Sequence, residues 1–326
     1  MLKLAGGGLT VLVLLLLSVL FVVVVFPGAV PLVLVGSRGT PSPSPVAIVT
    51  PSPSPSPSPT LSSSPSPKPV DRTAAFATLT RDLNKIATAG GAKASVSLME
   101  LGGTAPVAMW SIKGDSSWPA DSTYKLPLLI AEAQGIASGK FKATDKLCYK
   151  SSDYEVGWFG DYVPGTCYTR NALAQRVGHY SDNTAAHILV RYLGGSTALN
   201  AFAKSMGAVQ SKFWVPNTTT TGDLARLWWY EAVGAAGGKA AQGWLYPLIT
   251  KTYWEAGIPA GTPKATVVHK VGYNGRSLND AALVLNGPKG AYILTICTNG
   301  PGGAAGWNVI SGMAARVYQF EAARPA

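Results

Sequence analysis

Apolar residues recur at helical spacing from Asp71 to about Ala89, at Phe76, Leu79, Leu83 and Ile86, and predict an amphipathic helix. Two short apolar-rich runs follow, Ala94 to Leu101 and Val107 to Ile112. Gly102-Gly103 divides them, so the pair reads as a β-hairpin. Beyond Asp121 the pattern turns helical for about 130 residues, through segments such as Ser122–Ala137, Thr184–Leu193 and Asp223–Ala232. Strand-like runs return at Ala265–Val271, Asp280–Asn286 and Ala291–Thr298, and a last helix is predicted over Gly306–Phe320. Strands near both ends of a domain with helices between them predict an α+β fold, one sheet receiving a helical insertion.

The first 70 residues follow other rules. Leu9 to Phe26 is apolar except for Thr10 and Ser18, and no charge occurs between Lys3 and Arg38. Such a run is long enough to cross a hydrocarbon core of roughly 30 Å. A cleaved signal peptide is the competing reading, but its apolar region runs about 7–15 residues and ends at a small-residue site. Residues 1–38 are therefore read as a membrane anchor. Either reading exports the rest of the chain, giving a single-pass or secreted extracellular protein. Residues 39–70 are rich in Ser-Pro repeats with no apolar surface to bury, and predict a disordered stalk in extended polyproline form. Residues 71–326 remain as the folded domain.

The whole chain carries +11. Its Lys and Arg are scattered and the chain is exported, so no nucleic-acid partner is expected. Of three cysteines, Cys148 and Cys167 lie in a loop-rich stretch and are the expected disulfide in an oxidising compartment. Cys297 falls within the apolar run Tyr292–Cys297 and reads as a buried thiol.

Three short motifs carry chemistry, and each occurs once: Ser122-Thr123-Tyr124-Lys125, Ser181-Asp182-Asn183 and Lys270-Val271-Gly272. Residues i and i+3 of a helix share a face, so Lys125 can reach the Ser122 hydroxyl. A hydroxyl needs a base to become a nucleophile, and a buried lysine can serve when its pKa falls. The blander reading makes Ser122 a helix cap and Lys125 a solvated cation. Ser181, Asp182 and Asn183 could likewise be caps, and Lys270 with Gly272 a solvated turn.

The three motifs together, in this order, resemble the signature of class A β-lactamases and penicillin-binding proteins. The stretch Tyr180–Ala186 followed by Leu193-Gly194-Gly195 is similar to the second-motif region of that family, and the similarity extends over about 71–326. The resemblance implies an antiparallel sheet flanked by helices, with an inserted all-α subdomain. It implies that Ser122 is acylated with Lys125 as general base. Ser181 would relay the proton, Asn183 would bind the substrate amide carbonyl and Lys125, and Lys270 would supply positive potential. Gly272 and the backbone of Tyr273 would complete the substrate wall, the Tyr273 and Ser122 N–H groups forming an oxyanion hole. The Ser122 oxygen is expected to meet both ammonium groups. No metal or cofactor is implied, and the chain is expected to act as a monomer.

Two features depart from the family. No Glu or Asp occurs between Asp182 and Asp223, where the family's Ω-loop supplies a glutamate, and Val271 stands where the family has Thr or Ser. Asp223 fits a helix-capping pattern with Thr220, Glu155 is a weak substitute for the glutamate, and His187 and His269 read as structural. These departures point to weak β-lactam turnover. A D-Ala-D-Ala peptidase or amidase on peptidoglycan, and a non-catalytic wall-binding or β-lactam-sensing module, are the alternatives.

Overall fold

The computed structural model describes residues 71–103 and 106–324; the anchor and stalk expected over 1–70 lie outside them. Helix α1 (Thr73–Ala89) leads into β1 (Lys93–Glu100), β2 (Trp110–Ile112) and the two-residue β3 (Trp118–Pro119). The helical half runs through α2 (Lys125–Ala137), α3 (Arg170–Tyr180), α4 (Asn183–Leu193), α5 (Gly195–Ser205), α6 (Thr221–Ala232) and α7 (Gly238–Leu245). Short strands β4 (Lys146–Cys148), β5 (Cys167–Thr169) and β6 (Thr218–Thr219) punctuate it. A single turn, α8 (Ile258–Gly261), precedes β7 (Val267–Asn274), β8 (Ser277–Val284), β9 (Tyr292–Asn299) and α9 (Gly303–Ala322). No helix among the described residues is long and apolar enough to cross a membrane.

Five strands form one sheet in the order β2-β1-β9-β8-β7, every neighbouring pair antiparallel. Both ends of the domain therefore build the sheet, as the pattern predicts. Its late strands are apolar on both faces because both faces are covered. Val267, Val271, Ala282, Val284, Leu294 and Ile296 pack with Leu83 of α1 and Ile310 and Val317 of α9. The alternate residues Val268, Ala281, Leu283, Ile293 and Cys297 join the core of the helical half. Each fully buried aliphatic side chain there contributes about 1.5–3 kcal/mol.

α2 is the central helix, buried without a break from Lys125 to Ala133, and a helix apolar nearly all round is one sunk in a core. Its two buried charges have dedicated partners. Glu132 accepts from Arg170 Nη1 at 2.6 Å, and Lys125 lies in the cleft between the sheet and the helical half.

The structure differs from the sequence reading at the start of this helix. Asp121–Tyr124 is a 3-10 turn, and the α-helix begins only at Lys125. Asp121 has φ 48°, a left-handed conformation that no regular helix start allows.

Candidate active site

The turn that carries Ser122 is pinned from below. Thr123 donates to the Ala120 carbonyl from both N (3.0 Å) and Oγ1 (2.6 Å). Asn279 on β8 donates Nδ2 to the Pro119 carbonyl at 2.8 Å. Gly272 lies against the same turn: a Cβ there would stand 2.7 Å from the Ala120 oxygen and 3.1 Å from Asp121 Cβ. The glycine of the third motif is thus needed for the approach of β7 to the nucleophile.

Lys125 Nζ lies 3.0 Å from Ser122 Oγ, 2.8 Å from the Ser181 carbonyl oxygen and 2.5 Å from Asn183 Oδ1. Two acceptors absorb two N–H bonds. An uncharged amine then has its lone pair left for the Ser122 hydroxyl proton. Burial pulls the Lys125 ammonium down to about 7, although the charges of Glu155 and Asp182 oppose the fall. Lys270 is lowered well below the ordinary lysine range by burial, and the charge on Lys125 adds to the fall.

Lys270 differs from expectation in its contact. Its Nζ donates to Ser181 Oγ at 2.9 Å and to the Val271 carbonyl at 3.0 Å. Ser122 therefore receives one ammonium directly, while the second meets Ser181. The reason is reach: Lys270 leaves the edge strand β7 on the side of the second motif, and Ser181 intercepts it.

Ser181 takes φ 64° as the left-handed residue that ends α3, which turns its hydroxyl towards both lysines. Asp182 does cap α4, accepting from Ala185 N at 2.8 Å. It also accepts from the backbone N–H groups of Trp158 and Phe159, each at 3.0 Å, and from the Tyr162 hydroxyl at 2.6 Å. Asn183 Nδ2 donates to the Val156 carbonyl at 2.7 Å. The second motif thus builds the site and anchors the loop between β4 and β5. Cys148 and Cys167, paired in register at the base of that loop, are disulfide-bonded as expected.

The cleft over Ser122 is bounded by Gly157, Trp158, Tyr180, Trp254 and Tyr273. Trp158 stacks on Tyr180 at 5.5 Å, and Trp254 on Tyr273 at 6.4 Å. β7 is an edge strand, so one row of its backbone groups, next to Tyr273, has no neighbouring strand of the sheet. Val271 borders the cleft where the family has Thr or Ser.

Three arrangements escaped the sequence reading. Trp158 forms a wall of the cleft, and Gly157 is needed because a Cβ there would stand 2.9 Å from Asn183 N. His269, behind Lys270, is held by Asp280 and Glu255. His187 pairs with Glu155 at 2.7 Å. Only Gly157 left a signal, as a glycine next to an aromatic residue; the two histidines found partners through folding. Asp223 stands in the first turn of α6 as expected, its N–H capped by Thr220 Oγ1 at 3.0 Å, while its carboxylate accepts from Gln210 N and from Ser211 N and Oγ.

The chain is similar to known proteins. The family model described as the beta-lactamase enzyme family matches residues 78–320. A beta-lactamase of Rhodobacter capsulatus is 30% identical over 128 residues, 37% of this chain and 41% of that protein. Beta-lactamase AER-1 of Aeromonas hydrophila is 29% identical over 111 residues, 30% of this chain and 33% of that protein. The chain thus spans about two fifths or less of the length of these curated relatives. Among solved structures, PBP-A superposes with a TM-score of 0.67 at 25% identity, over 74% of this chain and 96% of that one. A PBP-A variant held as an acyl-enzyme complex with penicillin G gives 0.69 at 25% identity, over 75% and 96%.

Proposed function

This chain belongs to the beta-lactamase enzyme family, and on that premise we propose that it is a serine acyl-transfer hydrolase acting through an acyl-Ser122 intermediate. The observation that carries the reading is the 3.0 Å approach of a buried, pKa-lowered amine to a hydroxyl held on a rigid turn.

Lys125 removes the proton as Ser122 Oγ bonds to the carbonyl carbon of a β-lactam or related amide. The developing oxyanion is received by the N–H groups of Ser122 and Tyr273. Such preorganised donors cost no reorganisation at the moment of reaction. The leaving nitrogen takes a proton from Ser181, whose hydroxyl is recharged from the lysines on either side. The C–N bond breaks and the acyl-enzyme remains. Asn183 orients the amide carbonyl while holding Lys125.

No carboxylate occurs between Asp182 and Asp223, and Val271 offers the substrate carboxylate no hydroxyl. Both support slow β-lactam turnover. A neutral hydrogen bond is worth about 0.5–1.5 kcal/mol, so the second departure weakens binding rather than abolishing it. The same absence supports a second reading, a D-Ala-D-Ala peptidase on peptidoglycan. We place the domain outside the cytoplasm, a monomer tethered by residues 1–38 on the 39–70 stalk. The apolar run from Leu9 to Phe26 and the Cys148–Cys167 disulfide support that placement.

Fluorescent penicillin labelling of the protein and of Ser122→Ala tests acylation, and D-Ala release from a pentapeptide separates peptidase from lactamase. Labelling that survives in Ser122→Ala would sink the assignment.

A further inference from the structure

Glu155 sits in the loop that the second motif anchors, and one face of α4 holds it. Asn183, His187 and Arg191 are spaced by four residues and so share that face, with Thr184 beside them. Each grips the loop. Asn183 Nδ2 donates to the Val156 carbonyl at 2.7 Å, and Thr184 Oγ1 accepts from Glu155 N and donates to Glu155 O. His187 Nε2 meets Glu155 Oε2 at 2.7 Å, and Arg191 forms a two-pronged pair with Asp153. The His187 ring is itself backed by Trp214, centroids 4.5 Å apart, and Trp214 packs edge-on to Tyr124, the residue before Lys125.

The carboxylate is therefore placed, half-exposed, in the loop that walls the cleft. Asn183 lies one turn before its partner His187, and Gly157 and Trp158 of the cleft wall follow it by two and three residues. Its charge reaches the chemistry. Among the charges acting on Lys125, Glu155 stands ahead of Asp182. Burial lowers the His187 pKa, the charge of Glu155 opposes the fall and that of Lys125 adds to it, while the 2.7 Å approach of Nε2 to Oε2 fixes the carboxylate's place.

On the reading that Ser122 is acylated, we propose that Glu155 is the general base that activates the acyl acceptor, with His187 and Thr184 as the residues that position it. The acceptor is a water or an amine entering beside Gly157. Its oxygen or nitrogen bonds to the acyl carbon as its proton passes to a Glu155 oxygen. The tetrahedral centre then collapses, the bond to Ser122 Oγ breaks, and the proton held by Glu155 passes through the neutral Lys125 amine to Ser122 Oγ, which restores the starting state. A carboxylate outside the 183–222 stretch thus performs deacylation.

The test follows the benzylpenicillin adduct of the full chain by intact mass, in wild type, Glu155→Gln, His187→Ala and His187→Gln. The adduct is expected to form in all four. In Glu155→Gln it should decay at least tenfold more slowly than in wild type. His187→Ala should slow decay several-fold, and His187→Gln, which keeps a donor, should recover most of the loss. Loss of the Glu155 charge should also move the acid limb of acylation to lower pH, because that charge holds the Lys125 pKa up against burial. Should Glu155→Gln fail to fold, Glu155→Asp, which keeps the charge but withdraws it, should still form the adduct and slow its decay. Decay indifferent to both Glu155 substitutions overturns this inference alone; no adduct on wild type overturns the acylation reading and this one with it.

Discussion

Lys125 and Lys270 converge on one hydroxyl: Ser181 Oγ lies 3.4 Å from the first ammonium nitrogen and 2.9 Å from the second. Two buried cations this close cannot both keep their protons without cost, since burial and like charge both favour the neutral amine. On the proposed mechanism, Ser181 is the bridge through which a proton taken at Ser122 reaches the leaving nitrogen.

Acylation should therefore have an acid limb set by Lys125. The base is the uncharged form, and its pKa lies near 7, so the second-order acylation rate should fall about tenfold per pH unit below that value. Stopped-flow labelling across pH 5 to 9 measures it.

Lys125→Met should lose about 10²–10⁴-fold in acylation, the usual contribution of a general base. It should also stabilise the fold. A folded pKa below the unfolded one means a penalty that is complete below about pH 7 and vanishes as pH rises to the unfolded value near 10.5. The variant should exceed wild type by a few kcal/mol at pH 7, less the hydrogen bonds lost at Ser181 and Asn183, and the gap should close towards pH 10. Denaturant melts at several pH values report it.

Gly272→Ala should displace the nucleophile turn, because its Cβ meets a backbone oxygen at 2.7 Å rather than a movable side chain. We expect acylation at least tenfold slower, and a stability loss of about 1–3 kcal/mol from overpacking, read by labelling rate and thermal melt.

His269, fully buried, is pushed up to about 9: burial works against the charge, but Asp280 at 2.9 Å and Glu255 at 3.1 Å prevail. A raised folded pKa stabilises fully below the unfolded value near 6.5 and is lost as pH rises through 9. Wild type should exceed His269→Gln by on the order of 3 kcal/mol at pH 6, and the difference should shrink across pH 6.5 to 9.

The sheet, the end helices and the three motifs could be read from local pattern, because period-2 and period-3.6 spacing and short signatures are local properties. The late strands were predictable although apolar on both faces, since Tyr292–Cys297 is too short for a core helix and lies among turn residues. What depends on distant partners could not be read. Ser122 looked like a helix start, but the approach of β7 and β8 holds Asp121 left-handed and tightens the turn. Lys270 was expected at Ser122 and instead meets Ser181, 89 positions away. His187 and Glu155, 32 positions apart, become partners only when the loop folds back over α4.

The most direct test of the account is peptide mapping of the full chain after benzylpenicillin treatment. One acyl addition on the peptide that carries Ser122, absent from Ser122→Ala, is the predicted result. An adduct on any other peptide, or an equal adduct in Ser122→Ala, would contradict it.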